Sequence, residues 1–313
     1  MSSETRPFSL GREGSADGSF QRQDSRFRGR VTDAPDAGFP LAAGRYHLYV
    51  ARACPWAHRT LIGRRLMGLE QAIPVSFVSP LRDERGWAFD ESHVDALNGW
   101  SFLSRAYAAT DPGYEDRVSV PVLWDSEQGV IVNNESADIL RMLGTVFAPL
   151  ASHPVELYPE PLREEIDALE DEIYHGVNNA VYATGFATRQ AVYDREVEHL
   201  FQNLDRLDLR LGERRFLHGD TPVETDWRLF TTLVRFDAVY QIHFKCSIRK
   251  LVEYRNLWPY ARDLYQWPGV AETVDFDEIR AHYYGTHPSI NPTGIVAARP
   301  AASFDAPPGR EHL

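Results

Sequence analysis

Apolar and polar positions alternate differently in the two halves of the chain, and strand signals are confined to the first half. RYHLYVAR is a short apolar run typical of a buried strand, PWAHRTLIGRRLMG has helical spacing and ends at Gly68, and IPVSFVSP is a second apolar run. A strand, a helix and a further strand in this order predict a parallel βαβ unit that begins near Tyr46.

After this βαβ unit the sequence predicts a long connection, two more strands and a helix. Residues 80–117 scatter Pro, Gly and Asp among aromatic residues, so we expect a long connection that is loop-like or weakly helical. VSVPVLWD and GVIVNN then predict two short strands joined by the turn SEQG, and ESADILRMLGTVF predicts a helix. The first half therefore has the order βαβ, a long insertion, and ββα.

The second half of the chain is predicted to be helical. Apolar residues recur at three- and four-residue intervals in LREEIDALEDEIYHGVNNAVYATGF, RQAVYDREVEHLFQNLDRLDLRLG, DWRLFTTLVRFDAVYQIHF and LVEYRNLWPYARDLYQW. One helix start can be argued from its capping residues. Thr221 is expected to be the N-cap, Pro222 fits the first turn, and Glu224 has the spacing of a capping box.

These patterns predict a chain of α/β plus all-α class with two domains. Residues 1–44, rich in Gly, Ser, Arg and Asp, are expected to form an irregular N-terminal extension. Residues 45–147 form the βαβ-ββα domain, and the proline-containing stretch 148–162 is the predicted linker. Residues 163–313 form an α-helical domain with an irregular tail.

Charge and composition narrow the classes of function. A formal net charge of -12 argues against a nucleic-acid partner, which would need a basic surface. There is no uninterrupted apolar run of about 18 residues and no signal-peptide pattern at the N-terminus, so we expect no membrane segment and a cytoplasmic location. The 11 histidines show no paired Cys/His spacing typical of a zinc site, and we predict no metal.

Cys54 lies between the first predicted strand and the first predicted helix, with Pro55 at the first helical position. A helix start favours the thiolate, which is the nucleophile in sulfur exchange. Three nearby basic residues add positive potential if they face the sulfur: Arg52, His58 and Arg59. Ala57 replaces the second cysteine of a C-x-x-C motif, so a second thiol must come from solution, most simply from glutathione. The alternative is a buried structural cysteine, the role that we expect for Cys246.

Two further motifs suit a site for a thiol-containing tripeptide. In thioredoxin-like folds the place of Pro121 holds a cis proline beside the active cysteine, and the preceding Val120 exposes its backbone to the peptide; the alternative is a trans proline on an edge strand. NNES opens the next predicted helix. There Ser136 and a backbone N–H can hold a carboxylate and Glu135 can accept from an α-amino group; the alternative is an ordinary helix cap.

Longer strings resemble one enzyme family. CPWAHR, GWAFD, RVSVPVLWD, NNES, GVNNAVYATGFAT, DWRLFTTLVRFDAVYQIHFKC and INPTGIV resemble the glutathionyl-hydroquinone reductases, the Xi class of glutathione transferases, and the similarity runs from about Phe20 to Val296. The resemblance implies a thioredoxin-like domain, an α-helical glutathione-transferase domain and a homodimer. It also implies reduction of a glutathionyl-hydroquinone by glutathione, which yields the free hydroquinone and oxidised glutathione.

The same resemblance implies roles for individual residues. Cys54 attacks the substrate sulfur and becomes a mixed disulfide with glutathione, and Tyr182 and Tyr283 act as catalytic groups when the hydroquinone departs. The residues that match glutathione-binding positions are Trp87, Arg117, Val120, Glu135 and Ser136. The tyrosines that match the hydroquinone pocket are Tyr182, Tyr240 and Tyr283.

The chain departs from the family pattern in two places, and two other functions stay open. AARP follows INPTGIV where the family usually continues with proline and glycine, so we expect the tail to close differently over the pocket. VETDW lacks a hydroxyl three residues before Asp226, and Thr221 is expected to supply the cap instead. The alternatives are an omega-like thioltransferase or dehydroascorbate reductase, and a non-enzymatic carrier of aromatic ligands, which predicts that Cys54→Ala leaves function intact.

Overall fold

The computed structural model describes residues 15–34 and 36–313. Their contacts separate them into two compact units, one made of residues 23–155 and the other of residues 15–22 together with 156–313. The division falls inside the stretch 148–162 that the sequence marks as a linker. The described residues of the expected extension are divided between the two units, and residues 1–14 lie outside the described residues.

The first unit is built on a four-stranded sheet within its described residues, with strand order β2-β1-β3-β4. Its strands are β1 (Tyr46–Val50), β2 (Val75–Phe77), β3 (Val122–Asp125) and β4 (Val130–Asn133). β1 pairs in parallel with β2 and antiparallel with β3, and β3 pairs antiparallel with β4. Its helices are α1 (Pro55–Leu66), α2 (Ser104–Thr110) and α3 (Ser136–Gly144). The predicted βαβ-ββα order is confirmed.

Helices α1 and α3 pack closely because one position between them has no side chain. A Cβ on Gly63 of α1 would lie 2.6 Å from Cδ1 of Leu140 in α3, closer than two carbon atoms can approach. The buried residues of α3 recur with helical spacing and include Ile139, Leu140 and Leu143. This packing fixes the start of α3 relative to the start of α1.

The long connection between β2 and β3 is held by one buried carboxylate. Asp95 accepts hydrogen bonds from the backbone N–H groups of Leu97, Asn98 and Trp100 and from the Tyr49 hydroxyl on β1. Because Asp95 is buried, these bonds replace the water that the carboxylate loses. The connection is therefore anchored on the sheet despite its loop-like sequence.

The second unit is helical, as predicted. Its described helices are α4 (Arg163–Ile173), α5 (Ala180–Gly185), α6 (Gln190–Arg210), α7 (Glu224–Leu233), α8 (Leu257–Tyr265) and α9 (Phe276–Thr286). Two π-helical turns, Tyr174–Asn178 and Phe236–Tyr240, extend α4 and follow α7. The helix predicted over residues 251–267 is too long, because only the second part of this stretch forms α8. Helix α9 was not predicted from the sequence.

The predicted capping box at Thr221 is wrong. Helix α7 begins at Glu224, so Val223 occupies the cap and Asp226 stands at the third helical position. The Asp226 carboxylate accepts the N–H groups of Val223 and Leu217, each at 2.9 Å, and the Tyr260 hydroxyl at 2.8 Å. One buried aspartate therefore fixes the start of α7 by accepting the N–H of its cap residue, although the alkyl side chain of Val223 cannot accept a hydrogen bond.

The C-terminal tail packs on the helices of the second unit. Phe304 places its ring 4.7 Å from the ring of Trp258 in α8. Arg310 is buried and donates to the carbonyls of Leu211 at 2.9 Å and Arg215 at 3.0 Å, just beyond the end of α6. These bonds tie the tail to the chain segment that follows α6.

Among the described residues, none of the helices combines the length and the apolar character that crossing a lipid bilayer would require.

We predict that Asp226→Ala destabilises the protein strongly. At pH 7.5 the carboxylate is ionised, although burial raises the pKa of Asp226 to about 6, and the substitution leaves three buried donors unsatisfied. The free energy of unfolding should fall by at least about 3 kcal/mol, since each of the three unsatisfied groups costs roughly 1–3 kcal/mol. Urea unfolding followed by tryptophan fluorescence measures this change. The control Asp220→Ala removes an exposed carboxylate, and an Asp226→Ala effect no larger than that of this control would contradict the assignment.

Candidate active site

Cys54 caps the first helix. Its backbone is extended, with φ -78° and ψ 121°, and its carbonyl accepts the first helical hydrogen bond from the His58 N–H at 2.9 Å. Pro55 follows at the first helical position, where its missing N–H costs nothing. The half-buried sulfur therefore lies at the positive end of α1, a place that favours a thiolate.

A second chain segment meets this sulfur. The Val120–Pro121 peptide bond is cis, which decides between the two alternatives that the sequence left open, and it directly precedes β3. The Cys54 Sγ lies 3.6 Å from the Val120 carbonyl oxygen. Because β1 leads to Cys54 and its neighbour β3 follows Pro121, the sheet itself brings the two segments together.

The three basic residues near Cys54 have different environments. Arg52 lies over the Phe77 ring at 3.6 Å, and His58 is fully buried. Arg59 is buried as well; its guanidinium stacks over Trp56 at 4.5 Å and donates to the Ser136 hydroxyl at 3.4 Å. Arg59 therefore links the first turns of α1 and α3.

The start of α3 carries the two residues that the sequence assigned to it. Glu135 is the N-cap, and its carboxylate accepts the Ala137 N–H at 3.1 Å, the Ser25 hydroxyl at 2.9 Å and the Ser136 hydroxyl at 3.3 Å. The bonds with Ala137 and Ser136 belong to a helix cap, and Ser25 adds a partner from far away in sequence. The carboxylate and hydroxyl are thus oriented side by side at a helix N-terminus.

Trp87 and Arg117 lie in the connection between β2 and β3. Trp87 is buried, its carbonyl accepts the Leu103 N–H at 2.9 Å, and the Arg82 guanidinium lies 5.4 Å from its ring. The backbone of Arg117 is fixed from both sides, because its N–H donates to Gln23 at 3.0 Å and its carbonyl accepts the Tyr114 hydroxyl at 2.7 Å.

The second cysteine has a different environment. Both cysteines are thiols, but Cys246 is completely buried and its Sγ lies 3.9 Å from the Val181 carbonyl. Burial raises the pKa of the Cys246 thiol, which keeps it protonated. A thiol of this kind packs like a small apolar side chain.

In the second unit, three tyrosine hydroxyls meet in one hydrogen-bonded cluster. The Tyr182 and Tyr283 oxygens are 2.6 Å apart, and those of Tyr240 and Tyr283 are 3.0 Å apart. Burial raises the pKa values of Tyr240 and Tyr283 well above the usual value, so both hydroxyls stay protonated and can donate hydrogen bonds. The sequence predicted these residues from the resemblance, and the structure joins their hydroxyls.

Two of these tyrosines lie at or beside the two π-helical turns. Tyr182 is on α5, just after the first π-helical turn, and Tyr240 ends the second one. The first π-helical turn is tied to α7 because the Asn178 amide donates to the Thr232 hydroxyl at 2.8 Å and to the Arg228 carbonyl at 3.1 Å. π-helical turns inside helices are frequent at functional sites.

Aromatic rings surround the three hydroxyls. Phe244 lies within 5.6 Å of the rings of Tyr182, Tyr240 and Tyr283. It reaches this place because a Cβ on Gly185 would come within 2.2 Å of the Phe244 ring. From the start of the described chain, Phe20 stacks on Tyr182 and the Arg22 guanidinium lies 4.6 Å from the Tyr182 ring. The sequence suggests that the phenylalanines of GSFQRQDSRFRGRV hold an extended arm on the body, and Phe20 does so. The contact of Arg22 was not predicted, because residues distant in sequence share no local pattern.

The part of the chain that the structure describes contains no group of three or more His, Cys, Asp or Glu side chains arranged to hold a metal ion.

Family models and curated relatives place this chain in the same family. The family models described as "Glutathione S-transferase, N-terminal domain" and "Glutathione S-transferase, C-terminal domain" match residues 53–146 and 190–263. The glutathionyl-hydroquinone reductase YqjG of Escherichia coli is 50% identical over 307 residues, covering 95% of this chain and 94% of the relative. The glutathionyl-hydroquinone reductase PcpF of Sphingobium chlorophenolicum is 46% identical, covering 92% of this chain and 91% of the relative.

Solved structures give the same result. The Xi-class glutathione transferase of Natrialba magadii superposes with a TM-score of 0.90 and 51% identity, over 92% of this chain and 89% of that chain. The glutathione-bound structure of YqjG superposes with a TM-score of 0.88 and 49% identity, over 91% of this chain and 96% of that chain. The thioredoxin-like domain followed by a helical transferase domain is therefore confirmed.

Proposed function

Because this chain belongs to the Xi class of glutathione S-transferases, the glutathionyl-hydroquinone reductase family, we propose that it reduces glutathionyl-hydroquinones with glutathione. The observation that carries the proposal is the position of Cys54 at the N-terminus of α1, 3.6 Å from the Val120 carbonyl. A thiol in this position is suited to attack sulfur. Glutathione is the co-substrate, and the products are the free hydroquinone and oxidised glutathione.

The first step transfers the glutathionyl group to Cys54. A proton moves from a ring hydroxyl to the carbon that bears sulfur, which gives the keto tautomer of the substrate. The Cys54 thiolate then attacks the sulfur, an S–S bond forms, and the C–S bond breaks. The electron pair of the C–S bond moves through the ring onto the carbonyl oxygen, so the ring leaves as a hydroquinone anion and takes a proton on that oxygen. Carbon is reduced, and the two sulfurs are oxidised to a disulfide.

The tyrosine cluster supports this step by donating hydrogen bonds to the oxygen that becomes negative. We assign Tyr182 and Tyr283 as the catalytic hydroxyls, with Tyr240 completing the hydroquinone-binding set. The bonds at 2.6 and 3.0 Å already orient these hydroxyls. Donors that need no reorganisation are the effective form of oxyanion stabilisation.

The second step regenerates the enzyme. The thiolate of a second glutathione attacks the glutathione sulfur of the mixed disulfide, and Cys54 leaves as a thiolate. Ala57 stands where a resolving cysteine would be, which accounts for the need for an external thiol.

Five residues are assigned to glutathione. Glu135 accepts from its α-amino group, while Ser136 and the first N–H groups of α3 hold its γ-glutamyl carboxylate. Val120 offers backbone hydrogen bonds to the peptide. Trp87 and Arg117 complete the site, and the anchoring of the backbone of Arg117 supports its part in a fixed binding site.

The assembly and location of the protein are part of the proposal. Membership of the Xi class supports a homodimer, which light scattering would report as twice the chain mass of 35.6 kDa. Two cysteines held as thiols and a need for reduced glutathione support the cytoplasm.

We predict that hydroquinone release depends on Cys54 alone among the thiols. With glutathionyl-menadiol and glutathione, wild type and Cys246→Ser should release hydroquinone, and Cys54→Ser should lose at least about 1,000-fold in kcat/KM, because no nucleophile remains. Chromatography of the released hydroquinone measures the rate. Turnover only of a mixed disulfide or dehydroascorbate would favour the omega-like alternative, and aromatic binding without turnover would favour the carrier.

We predict that Tyr283→Phe separates the two halves of the chemistry. Its kcat with glutathionyl-menadiol should fall by about 10–100-fold, because a donor to the developing oxyanion is lost. Reduction of the mixed disulfide of glutathione and 2-mercaptoethanol should stay within about two-fold of wild type, since a thiolate leaves without such help. The control is Tyr284→Phe on the same helix, whose hydroxyl donates to the Ala238 carbonyl instead. Equal losses on both substrates would refute the assigned role.

A further inference from the structure

The segment at residues 15–22 is fixed on the helical unit around α5. The Gly18 carbonyl accepts the Thr188 N–H at 3.1 Å, and the Ala16 carbonyl accepts from the Arg189 guanidinium at 3.1 Å. Gly18 has a φ of 87°, and a Cβ there would lie 2.8 Å from Cγ of Arg189, so the close approach needs glycine. We call residues 15–22 the arm.

The arm delivers two side chains to the ring of Tyr182. Phe20 stacks on Tyr182 with an interplanar angle of 24° and on Phe186 with one of 16°. Arg22 places its guanidinium 4.6 Å from the Tyr182 ring, and its Nε donates to the Asn179 side chain at 2.8 Å. Asn179 directly precedes α5, so Arg22 contacts both the start of this helix and the tyrosine that the helix carries.

A cation over a phenol ring affects the phenol electrostatically. The positive charge attracts the electron density of the ring face, and it stabilises the negative charge that the ring gains when its hydroxyl donates to an anion. Arg235, a buried cation of the same unit, donates to the Thr231 carbonyl at 2.7 Å. We assign Arg22 to Tyr182 because its guanidinium lies 4.6 Å from the Tyr182 ring.

We propose that Arg22 is a positioning residue for the departure of the hydroquinone: its guanidinium fixes the Tyr182 ring and makes the Tyr182 hydroxyl a stronger hydrogen-bond donor. This inference rests on the proposed reductase function and deepens it. It assigns to the arm a part in the step that distinguishes hydroquinone substrates from simple disulfides. Thiol exchange at Cys54 does not require it.

The test compares two substitutions that separate charge from hydrogen bonding. Arg22→Gln keeps a donor for Asn179 and loses the cation, whereas Arg22→Lys keeps the cation. With glutathionyl-menadiol, Arg22→Gln should lower kcat by about 5–20-fold, and Arg22→Lys should stay within about three-fold of wild type. Both variants should reduce the mixed disulfide of glutathione and 2-mercaptoethanol at the wild-type rate. The control Arg26→Gln removes another guanidinium stacked on a tyrosine, 5.7 Å from the Tyr114 ring, and should leave both rates unchanged.

A double-mutant cycle identifies the route of the effect. If Arg22 acts through Tyr182, Arg22→Gln should cause no further loss of kcat in a Tyr182→Phe background. The inference would be overturned if Arg22→Gln lowered kcat equally with both substrates, or if Arg22→Lys were no more active than Arg22→Gln. Additive losses of kcat in the double-mutant cycle would also overturn it. Each of these results would leave the reductase function in place. If wild type releases no hydroquinone, the proposed function fails, and this inference fails with it.

Discussion

The site depends on one contact between two segments of the chain, the approach of the Cys54 sulfur to the carbonyl of Val120. β1 ends just before Cys54, β3 begins just after the cis Val120–Pro121 bond, and the two strands are neighbours in the sheet. The helix that starts at Cys54 also packs on α3 through Gly63. Consequently the thiol and the start of α3, which we assign to glutathione, are oriented by the same core.

The two units have different parts in the proposed reaction. Attack of a thiolate on sulfur is a general reaction that the first unit can perform on many glutathione adducts. Release of a ring from sulfur requires stabilisation of a developing oxyanion, and we assign this role to the hydroxyls of the second unit. Their protonated state follows from burial, which raises the pKa values of Tyr240 and Tyr283. Specificity for hydroquinones is thus attributed to the helical unit.

The sequence predicted features with local signatures and missed those that arise from distant contacts. Apolar runs located the four strands found among the described residues, and NNES located the start of α3. Helix α9 was missed because its polar residues and Gly285 weaken the helical pattern, although Asp275 does cap it. The hydroxyl of Thr221 suggested a cap, but the folded chain uses the buried Asp226. The contact of Arg22 with Tyr182 joins residues far apart in sequence, so no local pattern could reveal it.

The central claim is that Cys54 receives the glutathionyl group from the hydroquinone adduct. The most direct measurement is the intact mass of the protein, with peptide mapping, after mixing with glutathionyl-menadiol in the absence of glutathione. We expect one glutathionyl group on Cys54 for each hydroquinone released, and its loss as oxidised glutathione when glutathione is added. Release of hydroquinone without this adduct, or an equal adduct on Cys54→Ser, would contradict the mechanism.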